Sequence, residues 1–94
     1  RFEWDANKSK ANERKHGVSF HDAQDVFFDD HALLMADPDH STAEDRFLIL
    51  GLSTQSKLLV VCHCYRRSDD IIRIISARRA NRGEHEHYYE RWKR

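Results

Sequence analysis

The sequence predicts an α+β fold in which helices pack against one curved antiparallel sheet. Three observations support this prediction. Two capped helical patterns open the chain, four strand-like apolar runs follow with short turn-rich connections, and a third helical pattern comes last. A chain of 94 residues buries only about 60–65% of its unfolded surface, so we expect a single compact domain over residues 1–94.

The first elements are a short edge strand and two helices. Residues 1–4 carry apolar side chains and could form the edge strand. Asp5 is placed to cap a helix that runs to about His16, and Gly17 stands where helices often end in a left-handed residue. Ser19 is placed to cap the second helix, which has a stripe of apolar residues at helical spacing. This stripe comprises Phe20, Ala23, Val26 and Phe27.

The four strand candidates occupy residues 32–36, 46–53, 58–66 and 71–77. The connections between them are short and rich in turn residues, which favours antiparallel hairpins and therefore a meander. Residues 58–62 and 71–75 are almost continuously apolar, so these strands should be central and covered on both faces. Asn81 is predicted to cap the last helix, with Glu84 three residues further on. The apolar stripe of that helix consists of Tyr88, Tyr89 and Trp92.

Composition and charge exclude several classes of protein. No apolar run approaches the roughly 20 residues of a membrane span, and no secretory signal pattern opens the sequence, so we expect a cytoplasmic protein. The net charge is zero, but residues 1–65 carry seven Lys and Arg against eleven Asp and Glu, whereas residues 66–94 carry nine against five. The basic part could bind nucleic acid. The acidic part could repel nucleic acid or dock a basic partner.

The two cysteines do not indicate a disulfide or a metal site. Cys62 and Cys64 are two residues apart in a predicted strand, where a bridge between them would be strained, so we expect reduced thiols. Alternation sends His63 to the opposite face, and the three side chains therefore cannot converge on one ion. The sequence also lacks zinc-ligand spacing, glycine-rich phosphate loops, nucleophile elbows and dinucleotide fingerprints. We expect neither a metal nor a cofactor.

The most informative segment joins the last strand to the last helix. Alternation along the strand places Ser76 and Arg78 on one face. The other face holds Arg73, Ile75 and Arg79. Arginine forks suit phosphate oxygens, and the start of the following helix adds free backbone N–H groups, so the segment predicts a phosphate site. Alternatively, these arginines pair with nearby carboxylates, namely Asp69, Asp70 and Glu84.

Five other side chains are candidates for chemistry or binding. His63 has an ordinary pKa near ~6.5 and could act as general acid or base, or it could be a core-edge histidine bonded to a backbone carbonyl. Glu44 beside Arg46 could form an acid/base pair with a phosphate clamp, or a hairpin salt bridge of little energy. Arg66 closes the same strand as His63, on the other face. Lys15 complements the dipole of the first helix even without a functional role.

Several short motifs cover nearly the whole chain, and their order and spacing together form one pattern. They are Phe2-Glu3-Trp4-Asp5, Asn12, Lys15-His16-Gly17-Val18-Ser19-Phe20, Ala23, Phe27-Phe28-Asp29, Asp37-Pro38-Asp39-His40-Ser41, Glu44-Asp45-Arg46-Phe47, Leu50-Gly51, Leu59-Val60-Val61 and Arg73-Ile74-Ile75-Ser76-Ala77-Arg78-Arg79-Ala80, with a tyrosine-bearing last helix. This pattern resembles that of BrnT toxins. The resemblance implies a RelE-like fold and a ribonuclease toxin of a bacterial toxin–antitoxin system, which inhibits translation by cutting RNA.

The resemblance also implies partners and site residues. The partner would be a BrnA-like antitoxin with a ribbon-helix-helix part, which neutralises the toxin and alone contacts operator DNA. No membrane partner is implied. The catalytic positions carried over are Glu44, His63, Arg73 and Arg78. The RNA-binding positions carried over are Lys15, Arg46, Arg66 and Arg79.

The mechanism that we expect is attack by the ribose 2′-hydroxyl of the substrate on the adjacent phosphorus, without a metal. Arg73, Arg78 and Arg79 would stabilise the developing charge, and either Glu44 or His63 would take the 2′-proton. Arg46 and Lys15 would hold flanking phosphates. Two alternatives remain at this point: a nucleic-acid-binding module without catalysis, and an inactivated toxin kept as a partner of an antitoxin.

Overall fold

The computed structural model describes residues 1–37, 45–67 and 70–90, and these residues form the predicted succession of elements. The strands are β1 (Phe2–Glu3), β2 (Leu33–Ala36), β3 (Phe47–Leu52), β4 (Leu58–Arg66) and β5 (Ile71–Arg79). The helices are α1 (Ala6–His16), α2 (Phe20–Gln24) and α3 (Arg82–Glu90), with a 3₁₀ helix over Asp25–Phe28 directly after α2. The second predicted helix is therefore α-helical only in its first half. None of the described helices has the length and apolar content that crossing a membrane requires.

The predicted helix caps are present. The Asp5 carboxylate accepts hydrogen bonds from the N–H groups of Asn7 (2.8 Å) and Lys8 (3.1 Å), and Gly17 has a φ of 70° at the end of α1. The Ser19 hydroxyl accepts from the N–H of Asp22 at 3.1 Å. The Asn81 side chain accepts from the N–H of Glu84 at 2.8 Å, and Glu84 accepts from the N–H of Asn81 at 2.8 Å. Each cap satisfies donors that the first helical turn leaves without a partner.

The strands form one sheet with the order β1-β5-β4-β3-β2. Strands β2 to β5 pair in sequence as an antiparallel meander, as predicted. The prediction of a wholly antiparallel sheet is wrong at the edge, because β1 pairs with β5 in parallel. These two strands are far apart in the chain, so no hairpin imposes an antiparallel pairing on them. Strand β4 lies in the centre and is buried from Leu58 to Cys64.

The two faces of the sheet are covered to different extents. One face, here called the α1 face, carries the core formed with α1, α2 and the 3₁₀ helix. Its buried residues are Val18, Phe20, Ala23, Val26, Ile49, Leu59, Val61, Ile74 and Ala77. The other face, here called the α3 face, packs against α3 through Tyr88, which is fully buried. Tyr89, predicted in the same apolar stripe, is 41% exposed, and Trp92 lies outside the described residues.

A β-bulge in β5 changes the predicted alternation of its side chains. Cys62 pairs with Ser76, but the next residue of β4, His63, pairs with Ile74, so Ile75 is an extra residue in β5. An extra residue reverses the alternation on one side of it. Arg73 therefore lies on the same face as Ser76 and Arg78, and the prediction that it lies on the opposite face is wrong.

A buried asparagine joins α1 to the outer edge of β5. The Nδ2 of Asn12 donates to the carbonyl oxygens of Val18 and Ala77, both at 2.9 Å, and its Oδ1 accepts from the N–H of Ala77 at 3.1 Å. β1 ends at Glu3, opposite Arg73, so it does not reach Ala77. The amide of Asn12 thus bonds both backbone groups of Ala77, as a neighbouring strand would.

Candidate nucleic-acid interface

Five side chains form a row across one end of the α3 face. The sheet register aligns Glu3 of β1 with Arg73 of β5, and Arg73 with Cys64 of β4. Arg46 comes directly before β3 and continues the β3–β4 ladder next to Cys64. Asp37 comes directly after β2, and its N–H donates to the carbonyl of Arg46 at 2.9 Å, so Asp37 is the last member of the row. We call this set, Glu3, Arg73, Cys64, Arg46 and Asp37, the arginine row.

Arg73 is held by a carboxylate of the edge strand β1. Its Nη1 donates to Glu3 Oε2 at 2.8 Å, and the side chain is 30% exposed. Arg66 approaches the same oxygen with its Nε at 3.6 Å. The hydrogen bond from Arg73 is the main reason that the pKa of Glu3 lies below its usual value. Because one carboxylate serves two guanidinium groups, N–H groups of both remain available to an anion.

Arg46 carries a buried donor. Its Nε is buried and has no hydrogen-bond partner in the described part of the chain. A buried donor without a partner costs free energy, so a change of rotamer that brings this Nε to an acceptor would be favourable. Arg46 and Arg73 lie on either side of Cys64, two strand spacings apart, which amounts to roughly 10 Å between their backbones. Both long side chains can therefore reach a phosphate above Cys64.

Arg78 lies further along β5 on the same face and is engaged by a carboxylate. Its Nη1 and Nη2 donate to the two oxygens of Glu84 at 2.8 and 2.9 Å. This pair holds the pKa of Glu84 below its usual value, and the hydrogen bonds from Glu84 raise the pKa of Arg78. Glu84 also caps α3, so Arg78 links the sheet to that helix. Of the two expectations for this arginine, the carboxylate pair is the arrangement observed.

Two other predicted residues lie away from the arginine row. Arg79 is exposed and pairs with Leu59, so its side chain is directed to the α1 face. Lys15 is exposed in the last turn of α1, one turn after Asn12, which bonds to Ala77. Both cations therefore lie near the end of β5, but neither is on the α3 face.

His63 is buried on the α1 face. It is 0% exposed. The centroid of its ring lies 4.7 Å from the ring centroid of Phe27 and 5.3 Å from that of Tyr65. Its Nδ1 lies 3.1 Å from the carbonyl oxygen of Val61 and its Nε2 lies 3.3 Å from the Tyr65 hydroxyl. A carbonyl only accepts, so Nδ1 carries the proton and Nε2 accepts from Tyr65. Burial lowers the pKa of His63, which favours the neutral ring.

Glu44 lies outside the described residues, so the structure gives no position for it. Arg46, Arg66, Arg73 and Arg78, by contrast, share the α3 face. Sequence reasoning assigned no place in the site to Asp37 or Cys62. On the α3 face, the Cys62 thiol donates to Asp37 Oδ2 at 3.8 Å. It also gave no role to Ser76, which stands between Arg73 and Arg78. The bulge that brings these groups together has no signal in residue types alone.

Comparison with known proteins places this fold in a known context. The chain is similar in structure to the ribonuclease toxin BrnT of Brucella abortus, with a TM-score of 0.62, 23% sequence identity, and coverage of 84% of this chain and 94% of that one. A comparison with curated protein sequences gives no match. The described fold is thus a known small α+β fold.

The family follows from a second comparison. Residues 4–84 match the family described as the ribonuclease toxin BrnT of type II toxin–antitoxin systems. The chain therefore belongs to the BrnT family. Membership implies an RNA substrate and an antitoxin partner.

Proposed function

We propose that this chain is an endoribonuclease that cuts RNA at the arginine row without a metal. The observation that carries the proposal is the bulge at Ile75, because it brings Arg73 onto the face that also holds Arg46, Arg66 and Arg78. Bulges often occur next to active sites, where they redirect a side chain. Four guanidinium groups on one face provide the positive charge that a phosphate backbone requires.

Arg73 and Arg46 are the proposed clamp on the phosphate that is cut. They lie on either side of Cys64, and the Nε of Arg46 has no acceptor among the described residues. Arg78 and Arg66 would hold neighbouring phosphates, with Arg78 roughly 13 Å from Arg73 along the strand. Fixed donors of this kind stabilise a transition state in which the phosphate gains charge. A metal ion is not required for that stabilisation.

The proposed reaction is attack by the 2′-oxygen on the adjacent phosphorus. The 2′-hydroxyl loses its proton to a base, the bond to the 5′-oxygen breaks, and that oxygen takes a proton, leaving a 2′,3′-cyclic phosphate. Glu44, two residues before Arg46, remains our candidate for the base. His63 is not used at the reacting phosphate in this proposal, since its ring is fully buried on the opposite face with both nitrogens bonded.

The proposed partner is a BrnA-like antitoxin with a ribbon-helix-helix part. We expect it to cover the α3 face, since a segment bearing carboxylates would pair with the same guanidinium groups that bind RNA. Neutralisation would then be direct competition with the substrate. We expect the toxin to meet its RNA substrate and its antitoxin where translation occurs, which is the cytoplasm.

An in vitro digest tests the proposal. A defined RNA is incubated with wild type and with Arg73→Ala, Arg46→Ala and Glu44→Ala in the presence of a chelator, and the product ends are identified. Arg82→Ala is the matched control, because its side chain is 94% exposed on α3. We expect cyclic phosphate ends from wild type and from the control. Arg73→Ala and Arg46→Ala should each lose at least about 100-fold in cleavage rate.

Three results would contradict the proposal. Cleavage of an RNA with 2′-deoxyribose at the cut position would exclude attack by the 2′-oxygen. Cleavage lost in chelator would show that a metal takes part. Intact RNA under all conditions, combined with harmless expression in growing cells, would favour a binding module without catalysis.

A further inference from the structure

Arg78 is held in one orientation by a single carboxylate. Its Nη1 and Nη2 donate to Oε1 and Oε2 of Glu84 at 2.8 and 2.9 Å, and its Nη1 also donates to the carbonyl oxygen of Arg79 at 3.3 Å. Two parallel hydrogen bonds to one carboxylate fix the plane of a guanidinium group. Arg78 therefore differs from a free surface arginine, whose long side chain samples many rotamers.

The carboxylate of Glu84 is itself fixed from the other side by the start of α3. Its Oε1 accepts from the N–H of Asn81 at 2.8 Å, and the N–H of Glu84 donates to Asn81 Oδ1 at 2.8 Å. The hydrogen bond from Arg78 also holds the pKa of Glu84 below its usual value, so the carboxylate stays charged at neutral pH. Glu84 is thus a rigid point of attachment for the arginine.

This arrangement leaves two donors of Arg78 over. A guanidinium group carries five N–H bonds. Glu84 accepts from two and Arg79 from one, so Nε–H and the second hydrogen of Nη2 have no partner among the residues that the structure describes. These two hydrogens lie on one edge of the planar group and form the fork that suits two oxygens of a phosphate. The Arg78 side chain is 41% exposed, so an anion can approach it.

We propose that Glu84 is a positioning residue for RNA: it holds Arg78 so that the Nε–Nη2 edge of the guanidinium group meets a phosphate. This inference rests on the proposed function, in which Arg78 holds a phosphate near the one that is cut. An arginine already held in place loses less side-chain entropy on binding. A carboxylate near a polyanion weakens binding by repulsion, so a favourable contribution of Glu84 to RNA affinity distinguishes positioning from charge alone.

Glu84→Gln separates the positioning of Arg78 from the helix cap. The glutamine oxygen can still accept from the N–H of Asn81, because both Glu and Gln serve at this position of a capping box. The glutamine NH₂ group is a donor and would meet Nη2 of Arg78, which is also a donor. The substitution therefore keeps the start of α3 and breaks the paired hydrogen bonds to Arg78.

RNA binding is measured for Glu84→Gln with Arg78 present and in an Arg78→Ala background. The probe is a single-stranded oligonucleotide with 2′-fluoro sugars, which lack the attacking hydroxyl, and Kd is obtained by fluorescence anisotropy. Glu86→Gln is the matched control in both backgrounds, because its side chain is 71% exposed on α3 and pairs with Arg82. Arg73→Ala tests the proposed site independently, and urea unfolding verifies that each variant is folded.

The two backgrounds are compared by the factor by which Glu84→Gln raises Kd. We expect this factor to be about 3- to 10-fold larger with Arg78 present, because the double variant has no guanidinium group to position. A change in the fold or in the charge of α3 would alter both backgrounds equally. Glu86→Gln should therefore give the same factor in both.

Equal factors for Glu84→Gln in the two backgrounds would overturn the positioning role. A smaller factor with Arg78 present would show that Glu84 competes with the phosphate for Arg78, which also overturns it. If Arg78→Ala binds as wild type does while Arg73→Ala binds more weakly, Arg78 lies outside the site and the role of Glu84 is lost with it. Unchanged Kd values in both arginine variants would instead overturn the proposed RNA site itself.

Discussion

His63 illustrates how surroundings determine what a titratable side chain can do. The ring is enclosed by Phe27, Phe47 and Tyr65, and both nitrogens are satisfied within the α1 face. Protonation would place a charge where little water can solvate it, and burial accordingly lowers the pKa. The sequence allows two interpretations of this residue, an acid/base group and a core-edge histidine. They differ in how the stability and the activity of the protein should depend on pH.

The pH dependence of stability should reveal the neutral state of His63. Its folded pKa lies below the unfolded value of about 6.5, so the stability it contributes is complete above pH 6.5 and decreases as pH falls towards the folded pKa. Between pH 7.5 and 5.5 we expect wild type to lose stability through this group, by at most about 1.4 kcal/mol, because the unfolded pKa lies about one pH unit above 5.5. Urea unfolding at the two pH values should show a smaller loss in His63→Phe.

The control for this prediction is His87→Gln, because His87 is exposed on α3. Its loss between the two pH values should equal that of wild type. His63→Phe should also keep ribonuclease activity at pH 7.5. Inactivity in a variant with unchanged stability would show that His63 takes part in the chemistry.

Among the elements, β5 shows where sequence patterns succeed and where they stop. Its start, its apolar character and its neighbour β4 were predictable from the alternation of residues and the short connection. The bulge was not, because Ile74 and Ile75 are equivalent to any rule based on residue type, and packing in the core of the α1 face decides which of them is buried. Ile74 is 2% exposed in the core of the α1 face. The extra residue therefore falls at Ile75, and Arg73 changes face.

The contact between β3 and the 3₁₀ helix depends on a glycine. A Cβ on Gly51 would lie 2.9 Å from Val26 Cγ1 and 3.1 Å from Asp29 Oδ2. That carboxylate oxygen already accepts from the N–H of Leu52 and from the Tyr88 hydroxyl, so it cannot move without loss. We expect Gly51→Ala to lower the free energy of unfolding by about 1–3 kcal/mol, measured by urea denaturation.

Gly83→Ala provides the comparison for Gly51→Ala. Gly83 lies in α3, and the nearest atom to an added Cβ is Asn81 Oδ1 at 3.5 Å. Alanine should therefore raise stability by about 0.5–1 kcal/mol through helix propensity. Equal effects of the two substitutions would show that Gly51 is not a point of close approach.

The junction of α1 and β5 depends on one amide. Asn12→Ala leaves the N–H and C=O of Ala77 and the C=O of Val18 buried without these partners. We expect a loss of about 2–4 kcal/mol, measured as a lower urea midpoint at an unchanged m-value. Asn7→Ala, exposed on the same helix, should change stability by less than about 0.5 kcal/mol. A loss as small for Asn12→Ala would contradict the role assigned to its amide.

At the scale of the whole molecule, a net charge of zero conceals a local concentration of arginines. Arg46, Arg66, Arg73 and Arg78 lie on the α3 face. Cations are not confined to that face, because α1 carries Lys8, Lys10, Arg14 and Lys15. The charge gradient along the sequence predicted this concentration only in part. Arg46 belongs to the acidic part of the chain and reaches the basic face through the pairing of β3 with β4.

Salt dependence should report how many of these arginines meet phosphates. For single-stranded RNA, each phosphate contact adds about 0.7 to the slope of log Kd against log salt concentration. Arg73→Ala should therefore reduce the slope by about 0.7, whereas Arg82→Ala on α3 should leave it unchanged. An unaltered slope in Arg73→Ala would place the RNA elsewhere on the molecule.

The hydrogen bond between Glu3 and Arg73 joins residues 70 positions apart, and it sets the time at which the site can form. Contacts of such long range form slowly, because a large loop must close before they contribute. During synthesis, β1 and α1 leave the ribosome long before β5 exists, and domains fold as units when their last strands arrive. The arginine row is therefore among the last features that a newly made chain acquires. A toxin still under synthesis therefore keeps Glu3 and Arg73 apart until β5 has been made, and the complete site cannot meet RNA before that point.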